Sequence, residues 1–255
     1  MFRATIAVGA AISLGFILRA DGSDVELRNL VISGWKCLAR PSGSAQTIAE
    51  AARNLSKNRS AASNAQSISL EIKSFLERAL DFDQQIGGVK TRAGLNAEQK
   101  AKLAEAEKQV VSLTGWLVQT YPGPAESTNC GDPYYHDWHL ELLEAPLDHS
   151  PGVGDPTAII CEITPRTEGD LYRRGVRLEH LAAYIRAPDG TAEPTGHLAH
   201  KVRLIGYAMW DDAHNSTEEV GPTIKQLDAQ KLGRPWRRTA WELHPIWDVV
   251  DLGSQ

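Results

Sequence analysis

The sequence lacks an excess of positive charge. Lysine and arginine number 27 against 32 aspartates and glutamates, which gives a formal net charge of −5 over 255 residues. Proteins that bind nucleic acid through their overall field are strongly basic. The balance excludes such a field and makes nucleic acid an unlikely partner. With 42% hydrophobic and 23% charged residues, the chain has the composition of an ordinary folded protein.

The signatures of common enzymes are also missing. The chain contains no G-x-S-x-G nucleophile elbow, no phosphate-binding P-loop and no G-x-G-x-x-G dinucleotide motif. No cysteine neighbours a histidine in a way that suggests a nucleophile pair. These absences favour a role without catalysis, although they do not decide whether the protein is an enzyme.

Cysteine is scarce, and none of the three cysteines forms a C-x-x-C spacing. The usual cysteine-based zinc and redox motifs are therefore absent. Cys161 lies in an apolar segment and is predicted to be a core residue. Cys37 and Cys130 flank the helical region and could pair in an exported protein, but one sequence does not establish their proximity.

A single apolar run near the start, Thr5 to Leu18, lies between Arg3 and Arg19. Its length is typical of a signal-peptide core and short for a membrane span. We predict a signal peptide over residues 1–22 and a periplasmic or secreted protein. The alternatives are an uncleaved anchor that contacts the membrane through residues 5–18, and a buried helix of a cytoplasmic protein.

Residues 23–109 are predicted to be helical. A first amphipathic helix over about 44–79 is broken around 58–64, and Asn96 with Gln99 forms a plausible capping box for a second helix. Both helices are interpreted as a packing scaffold. The apolar face of the first helix comprises Ile68, Ile72, Phe75 and Leu76.

From about residue 110 the pattern changes to short strands separated by turn residues, with a helix at Leu178 to Arg186 between the third and fourth strands. This is the element order of an OB-type barrel, and glycines inside two strands fit strands that curl sharply. We predict an α+β fold in which a helical N-terminal region is followed by a five-stranded OB-like β-barrel domain over residues 110–255, with one helix between strands 3 and 4. An open α+β sandwich is the alternative. The predicted strands are Val111 to Tyr121, Asp137 to Leu143, Ala158 to Thr164, Lys201 to Trp210 and Thr239 to Leu252.

Four motifs in the same part of the chain resemble a group of uncharacterised bacterial proteins that share an OB-like domain. The resemblance covers residues 97–252 and does not extend to the helical first third. It implies an OB-like domain and supplies no reaction. The motifs are ESTNC at Glu126 to Cys130, DWHLEL at Asp137 to Leu142, EITPR at Glu162 to Arg166 and WELHPI at Trp241 to Ile246.

Alternation along strands two, three and five places polar residues on one face. If Trp138, Leu140, Ile163, Trp241 and Leu243 point inward, the opposite face carries the polar set. We expect Glu162 to lie between His139 and His244, and these three residues to form a candidate site for a divalent metal. The alternative is a set of cross-strand hydrogen bonds and ion pairs. The candidate ligand-binding residues are Asp137, His139, Glu141, Glu162, Arg166, Glu242, His244 and Trp236, and Thr164 shares their face.

The sequence thus predicts a non-catalytic binding or scaffold module of the cell envelope, with an unidentified ligand. One alternative is a metal-dependent hydrolase or metal-binding protein that uses His139, Glu162 and His244. Another is binding of single-stranded nucleic acid or oligosaccharide through the Arg234 to Arg238 loop, where Trp236 would stack on a base or sugar. The competing interpretation of that loop is a surface turn whose tryptophan folds back on the barrel.

Overall fold

The computed structural model describes most of the chain from residue 35 onward. The predicted signal peptide or anchor (1–22) and Arg234 lie outside the described residues. Within the described part, no helix is long and apolar enough to cross a membrane. The described residues are 35, 37, 40–62, 66–152, 154–187, 189–221 and 235–254.

The protein has a mixed α/β architecture with a closed five-stranded barrel at its centre. The strands of the described part are β1 (Ile68–Glu71), β2 (Val110–Pro122), β3 (Trp138–Leu143), β4 (Ile159–Ile163), β5 (Tyr184–Arg186), β6 (Ala192–Pro194), β7 (His200–Trp210) and β8 (Trp241–Ser254). Its helices are α1 (Ile48–Lys57), α2 (Ile72–Gln85), α3 (Ala97–Glu107), α4 (Pro165–Arg173) and α5 (Leu178–Leu181).

The barrel strands follow the order β2-β3-β4-β8-β7, and β7 pairs with β2 again to close the sheet. The β4–β8 pair is parallel, and the other four pairs of the barrel are antiparallel. Closure depends on the length of β2, because its first half pairs with β7 and its second half with β3. Outside the barrel, β1 and β5 add to β2 in parallel, and β6 pairs with β5.

The two strand glycines allow close approach of neighbouring atoms. A Cβ on Gly206 would lie 2.8 Å from the carbonyl oxygen of Pro245 on β8. The β7–β8 register shifts on both sides of Gly206. A Cβ on Gly115 would lie 2.7 Å from Cδ1 of Ile72 on α2. A larger residue at either position would displace its neighbour, in keeping with glycine at crowded points of a curled sheet.

One apolar core joins the barrel to the helices α2 and α3. The side chains predicted to point inward, Trp138, Leu140, Ile163, Trp241 and Leu243, all lie in it. Helix α2 contributes Phe75 and Phe82, and the ring centroids of Phe82 and Trp241 are 4.6 Å apart. Helices α2 and α3 therefore bury their apolar faces on the barrel itself. The capping box of α3 at Asn96 and Gln99 is confirmed.

Two predicted helices are wrong in detail. The segment 44–79 divides into α1, β1 and α2, because Ile68–Glu71 pairs with β2 as a strand. The helix predicted at 178–186 is a single turn, α5, after which residues 184–186 form β5. The longer helix after the third barrel strand is α4, which begins at Pro165. Proline was interpreted only as the end of a strand, although it is also favoured in the first turn of a helix.

Helix α1 has the reverse of the usual amphipathic arrangement. Its buried residues are Asn54 and Lys57, whereas Ile48 and Leu55 are 91% and 49% exposed. The buried side is thus polar, and it rests on the polar face of the barrel.

A disulfide between Cys37 and Cys130, with Cα atoms 5.7 Å apart, joins the chain before α1 to the β2–β3 connection. Cys161 is fully buried in β4, as predicted.

Candidate functional site

The polar face of the barrel carries a dense group of charged side chains, here called the polar cluster. The strands β3, β4 and β8 supply four of its nine members, and α1 and the β2–β3 and β7–β8 connections supply the other five. Except for the partly exposed Glu126, its members are at most 4% exposed. Helix α1 and the described parts of the two connections cover this face. The members are Lys57, Glu126, Asp137, His139, Glu162, Asp211, Arg237, Glu242 and His244.

Glu162 lies between the two histidines, as the alternation of the strands predicted. His139 Nε2 is 3.1 Å from Glu162 Oε1, and His244 Nδ1 is 2.9 Å from Glu162 Oε2. Burial alone would lower the pKa of His244, but the Glu162 carboxylate more than offsets it and raises that pKa to about 10. Burial also lowers the pKa of His139, but Glu162 outweighs this effect, so the pKa of His139 is raised as well. His244 is therefore the doubly protonated imidazolium near neutral pH.

Lys57 enters this face from α1, and the sequence analysis did not identify it. Its Nζ lies 3.0 Å from Glu126, 3.1 Å from Asp211 and 3.8 Å from Glu162. Burial opposes the charge of this ammonium, but the surrounding carboxylates, Asp211 first among them, hold its pKa well above the usual value. No local pattern marked Lys57, because a lysine on a helix is normally solvated and its partners lie far along the chain.

Asp137 makes one good contact and one long one. Its Oδ1 accepts a hydrogen bond from Asn129 Nδ2 at 2.9 Å, whereas its Oδ2 is 3.5 Å from His244 Nε2. Burial raises the pKa of Asp137 to about 6, against the opposing effect of His244. Among the described residues, neither Asp137 Oδ2 nor His244 Nε2 has a hydrogen-bond partner.

Glu141 lies outside the polar cluster although it shares its strand face. Gln119 donates to it at 3.2 Å, and an Arg186 guanidinium nitrogen is 3.7 Å away. Burial dominates here and raises the pKa of Glu141 to about 7. This carboxyl group is therefore substantially protonated near neutral pH, unlike Glu162, whose pKa the histidines and Lys57 hold well below the usual range against the effect of burial.

The remaining candidate residues lie apart from the histidines. Arg166 donates to Asn58 Oδ1 at 2.5 Å and to the carbonyl of Cys37 at 3.1 Å, so its hydrogen-bond partners are not Glu162 or Glu242. The partner of Glu242 is Arg237, at 2.6 Å, and both side chains are fully buried. Thr164 is buried, and its hydroxyl has no hydrogen-bond partner.

Trp236 packs back on the protein. Its ring meets the ring of His214 edge-on at 5.3 Å, and the Arg237 guanidinium lies 4.9 Å from its centroid. Because Arg237 is fully buried, the described part of the Arg234 to Arg238 loop presents no pair of free arginines beside an open tryptophan. This arrangement agrees with the interpretation of the loop as a turn folded on the barrel.

Three groups of side chains could each hold a metal ion with ligand atoms within 4.8 Å of one another. Glu162 belongs to all three, and the two histidines fall into different groups. The predicted trio of His139, Glu162 and His244 is thus distributed over two arrangements. The groups are Glu126, His139 and Glu162; Asp137, Glu162 and His244; and Glu162, Asp211 and Glu242.

Comparisons of this chain with protein families, with curated proteins and with solved structures found no match. Its chemistry therefore has to be inferred from the polar cluster itself. Charged groups at this depth, each facing an opposite charge, form a strong internal network. In the part of the chain that the structure describes, His139 is 4% exposed and His244 is fully buried.

Proposed function

We propose that the chain is a non-catalytic module of the cell envelope, built on an OB-type barrel whose polar face is closed by its own groups. The observation that carries this proposal is the burial of the polar cluster under α1, with the Lys57 ammonium placed among three carboxylates. A catalytic site needs an approach for substrate, and this face is occupied from within.

The OB assignment is supported by the order of the barrel strands. In chain order the five strands are β2, β3, β4, β7 and β8, and the third is beside the fifth, as in an OB barrel. Helix α4 lies between the third and fourth of them, where the OB element order places a helix. OB domains bind oligonucleotides and oligosaccharides on the face of strands two and three and with the loops between strands one and two and between four and five.

In this chain the equivalent face belongs to β3 and β4. The β2–β3 connection contributes Glu126 and Asp137 to it, and the described ends of the β7–β8 connection contribute Asp211 and Arg237. The charged side chains of this face, which would contact a ligand in other OB domains, therefore form ion pairs with one another. This supports a scaffold role for the face, with any partner bound elsewhere on the surface.

Export to the cell envelope is supported by two features. The apolar run at residues 5–18 has the length of a signal-peptide core. The bridge between Cys37 and Cys130 is of a kind that persists in oxidising compartments and is rare in the cytosol. The two features agree with each other and are independent, since one is a sequence pattern and the other a contact across the fold.

Hydroxyl-radical footprinting of the folded protein, analysed by peptide mass spectrometry, tests the closed face. We expect strong oxidation of Tyr134, which is 73% exposed, and of His149, whose side chain is 69% exposed. His139 and His244 should be protected until the protein unfolds. Oxidation of these two histidines at the rate of the exposed controls would contradict the proposal.

Cell fractionation that finds the chain in the cytoplasm with residues 1–18 retained would contradict the envelope location.

A further inference from the structure

His244 uses one ring nitrogen and leaves the other without a partner. Nδ1 donates a hydrogen bond to Glu242 Oε1 at 3.1 Å, and Glu162 Oε2 lies 2.9 Å from the same nitrogen. Nε2 is buried and lies 3.5 Å from Asp137 Oδ2, and neither atom has a hydrogen-bond partner among the described residues. Two unsatisfied buried atoms of opposite character are rare in folded proteins and call for an explanation.

The separation of these two atoms suits a shared metal ion better than a direct hydrogen bond. An N–H···O hydrogen bond normally spans about 2.7–3.2 Å. Two ligand atoms at about 2.0–2.1 Å from a tetrahedral zinc ion lie about 3.4 Å from each other. The observed 3.5 Å therefore matches the edge of a zinc coordination shell.

The other side of the His244 ring has the partners that metal-bound histidines have. A histidine that ligates a metal almost always donates its second ring N–H to a carboxylate or carbonyl, which fixes the tautomer and the ring orientation. Glu162 and Glu242 provide two such carboxylates at Nδ1. Nε2, which faces Asp137, is then the ring nitrogen that can exchange its proton for a metal ion.

Further oxygen donors next to Asp137 are unsatisfied. Asn129 donates its amide hydrogen to Asp137 Oδ1, but its own Oδ1 has no partner and the residue is fully buried. Trp138 on β3 pairs with Ile163 on β4. Asp137 precedes Trp138 and Thr164 follows Ile163, so both lie at the same end of this strand pair. Among the described residues, the Thr164 hydroxyl also has no hydrogen-bond partner. These neutral oxygens are suitable groups to complete the coordination of a metal.

We propose that Asp137 Oδ2 and His244 Nε2 bind one zinc ion, with Glu242 as the positioning residue that accepts the hydrogen bond from Nδ1 and so holds the His244 ring. This assignment replaces His139 of the predicted trio by Asp137 and leaves His139 as the ion-pair partner of Glu162. It goes beyond the proposed scaffold function and does not depend on the location of the protein in the cell.

The test uses the full chain, purified without chelator or metal-affinity chromatography, stripped with EDTA and titrated with Zn²⁺, and with Co²⁺ as a spectroscopic substitute. We expect one equivalent of zinc by elemental analysis, a visible Co²⁺ ligand-field spectrum, and a higher Tm in excess Zn²⁺ because the ion binds only the folded state. Asp137→Asn, which keeps the shape of the side chain, should lose all three responses, and so should His244→Gln.

His139→Gln is the matched control, since it removes an equally buried imidazole of the same cluster and should retain the zinc equivalent. Glu242→Gln should weaken zinc affinity by about 10–100-fold, because it alters the group that orients the His244 ring. Circular dichroism of each variant separates loss of metal from loss of fold. A wild-type protein that binds no zinc and shows no shift in Tm would overturn the proposal. Retention of zinc by Asp137→Asn with its loss in His139→Gln would also overturn it.

Discussion

Replacing Lys57 with methionine tests the central contact of the polar cluster. Methionine keeps most of the apolar stem and removes the ammonium, so Glu126, Asp211 and Glu162 lose a cation at 3.0, 3.1 and 3.8 Å. Removing one partner of a buried ion pair destabilises a protein by about 3–5 kcal/mol, because the remaining charge is uncompensated. Glu126 is partly exposed and can be hydrated, so we expect a loss near the lower end, about 3 kcal/mol in the free energy of unfolding.

Urea denaturation at pH 7 measures this loss. The matched control is Lys102→Met, which removes an ammonium from the exposed pair with Glu98 and should change stability by less than about 0.5 kcal/mol. If Lys57→Met does not fold, Glu126→Gln gives a milder loss of about 1 kcal/mol from the same contact.

The pH dependence of the Lys57→Met defect gives a second readout. Without the ammonium, the buried carboxylates are easier to protonate in the folded state than in the unfolded chain. The extra stability from that protonation is present at low pH and is lost as pH rises. The defect should therefore shrink between pH 7 and pH 5. A loss below about 1 kcal/mol at pH 7, with no change on acidification, would refute the view that this network holds α1 on the barrel.

Two further predictions concern the bridge and Glu141. Cys37→Ser should lower the free energy of unfolding by about 2–5 kcal/mol, because the bridge closes a loop across a separation of 93 residues. Urea denaturation of the wild type with and without reductant checks this, and equal stability under the two conditions would contradict it. Burial raises the pKa of Glu141 to about 7, so its contribution to stability is complete below the unfolded pKa and declines as pH rises through 7. Urea titrations between pH 4.5 and pH 8 measure the free energy of unfolding as a function of pH. Glu141→Gln should reduce its change over this range by up to about 3 kcal/mol. The same pH dependence in the variant and the wild type would count against a protonated Glu141.

The parts of the fold that were predicted from sequence have short-range signals. Short runs divided by turn residues identified all five barrel strands, and alternation along the second, third and fifth of them separated the core side chains from the polar ones. The same alternation brought Glu162 between His139 and His244, because adjacent strands in register place like-facing residues together. The capping box at Asn96 and Gln99 was also a local signal.

The parts that were missed depend on contacts across the chain. Strand β1 is only four residues long and is fixed by pairing with β2. The burial of the polar face depends on α1, whose apolar residues Ile48 and Leu55 lie on its exposed side. Lys57 lies on α1 and Asp211 follows β7, and nothing near either residue indicates the other. Long-range ion pairs of this kind leave no periodic trace in a sequence.

The reversed orientation of α1 has a consequence for the order of events in synthesis. Lys57 emerges before Glu126, Glu162 and Asp211, and α1 has only a polar side to offer the barrel. Hydrophobic collapse cannot position such a helix, since its apolar residues are those left outside. Until residue 211 has been made, the ammonium is better solvated by water than by an incomplete set of carboxylates. We therefore expect α1 to seat last, after the barrel has closed, so that an early segment of the chain is the final one to reach its native place.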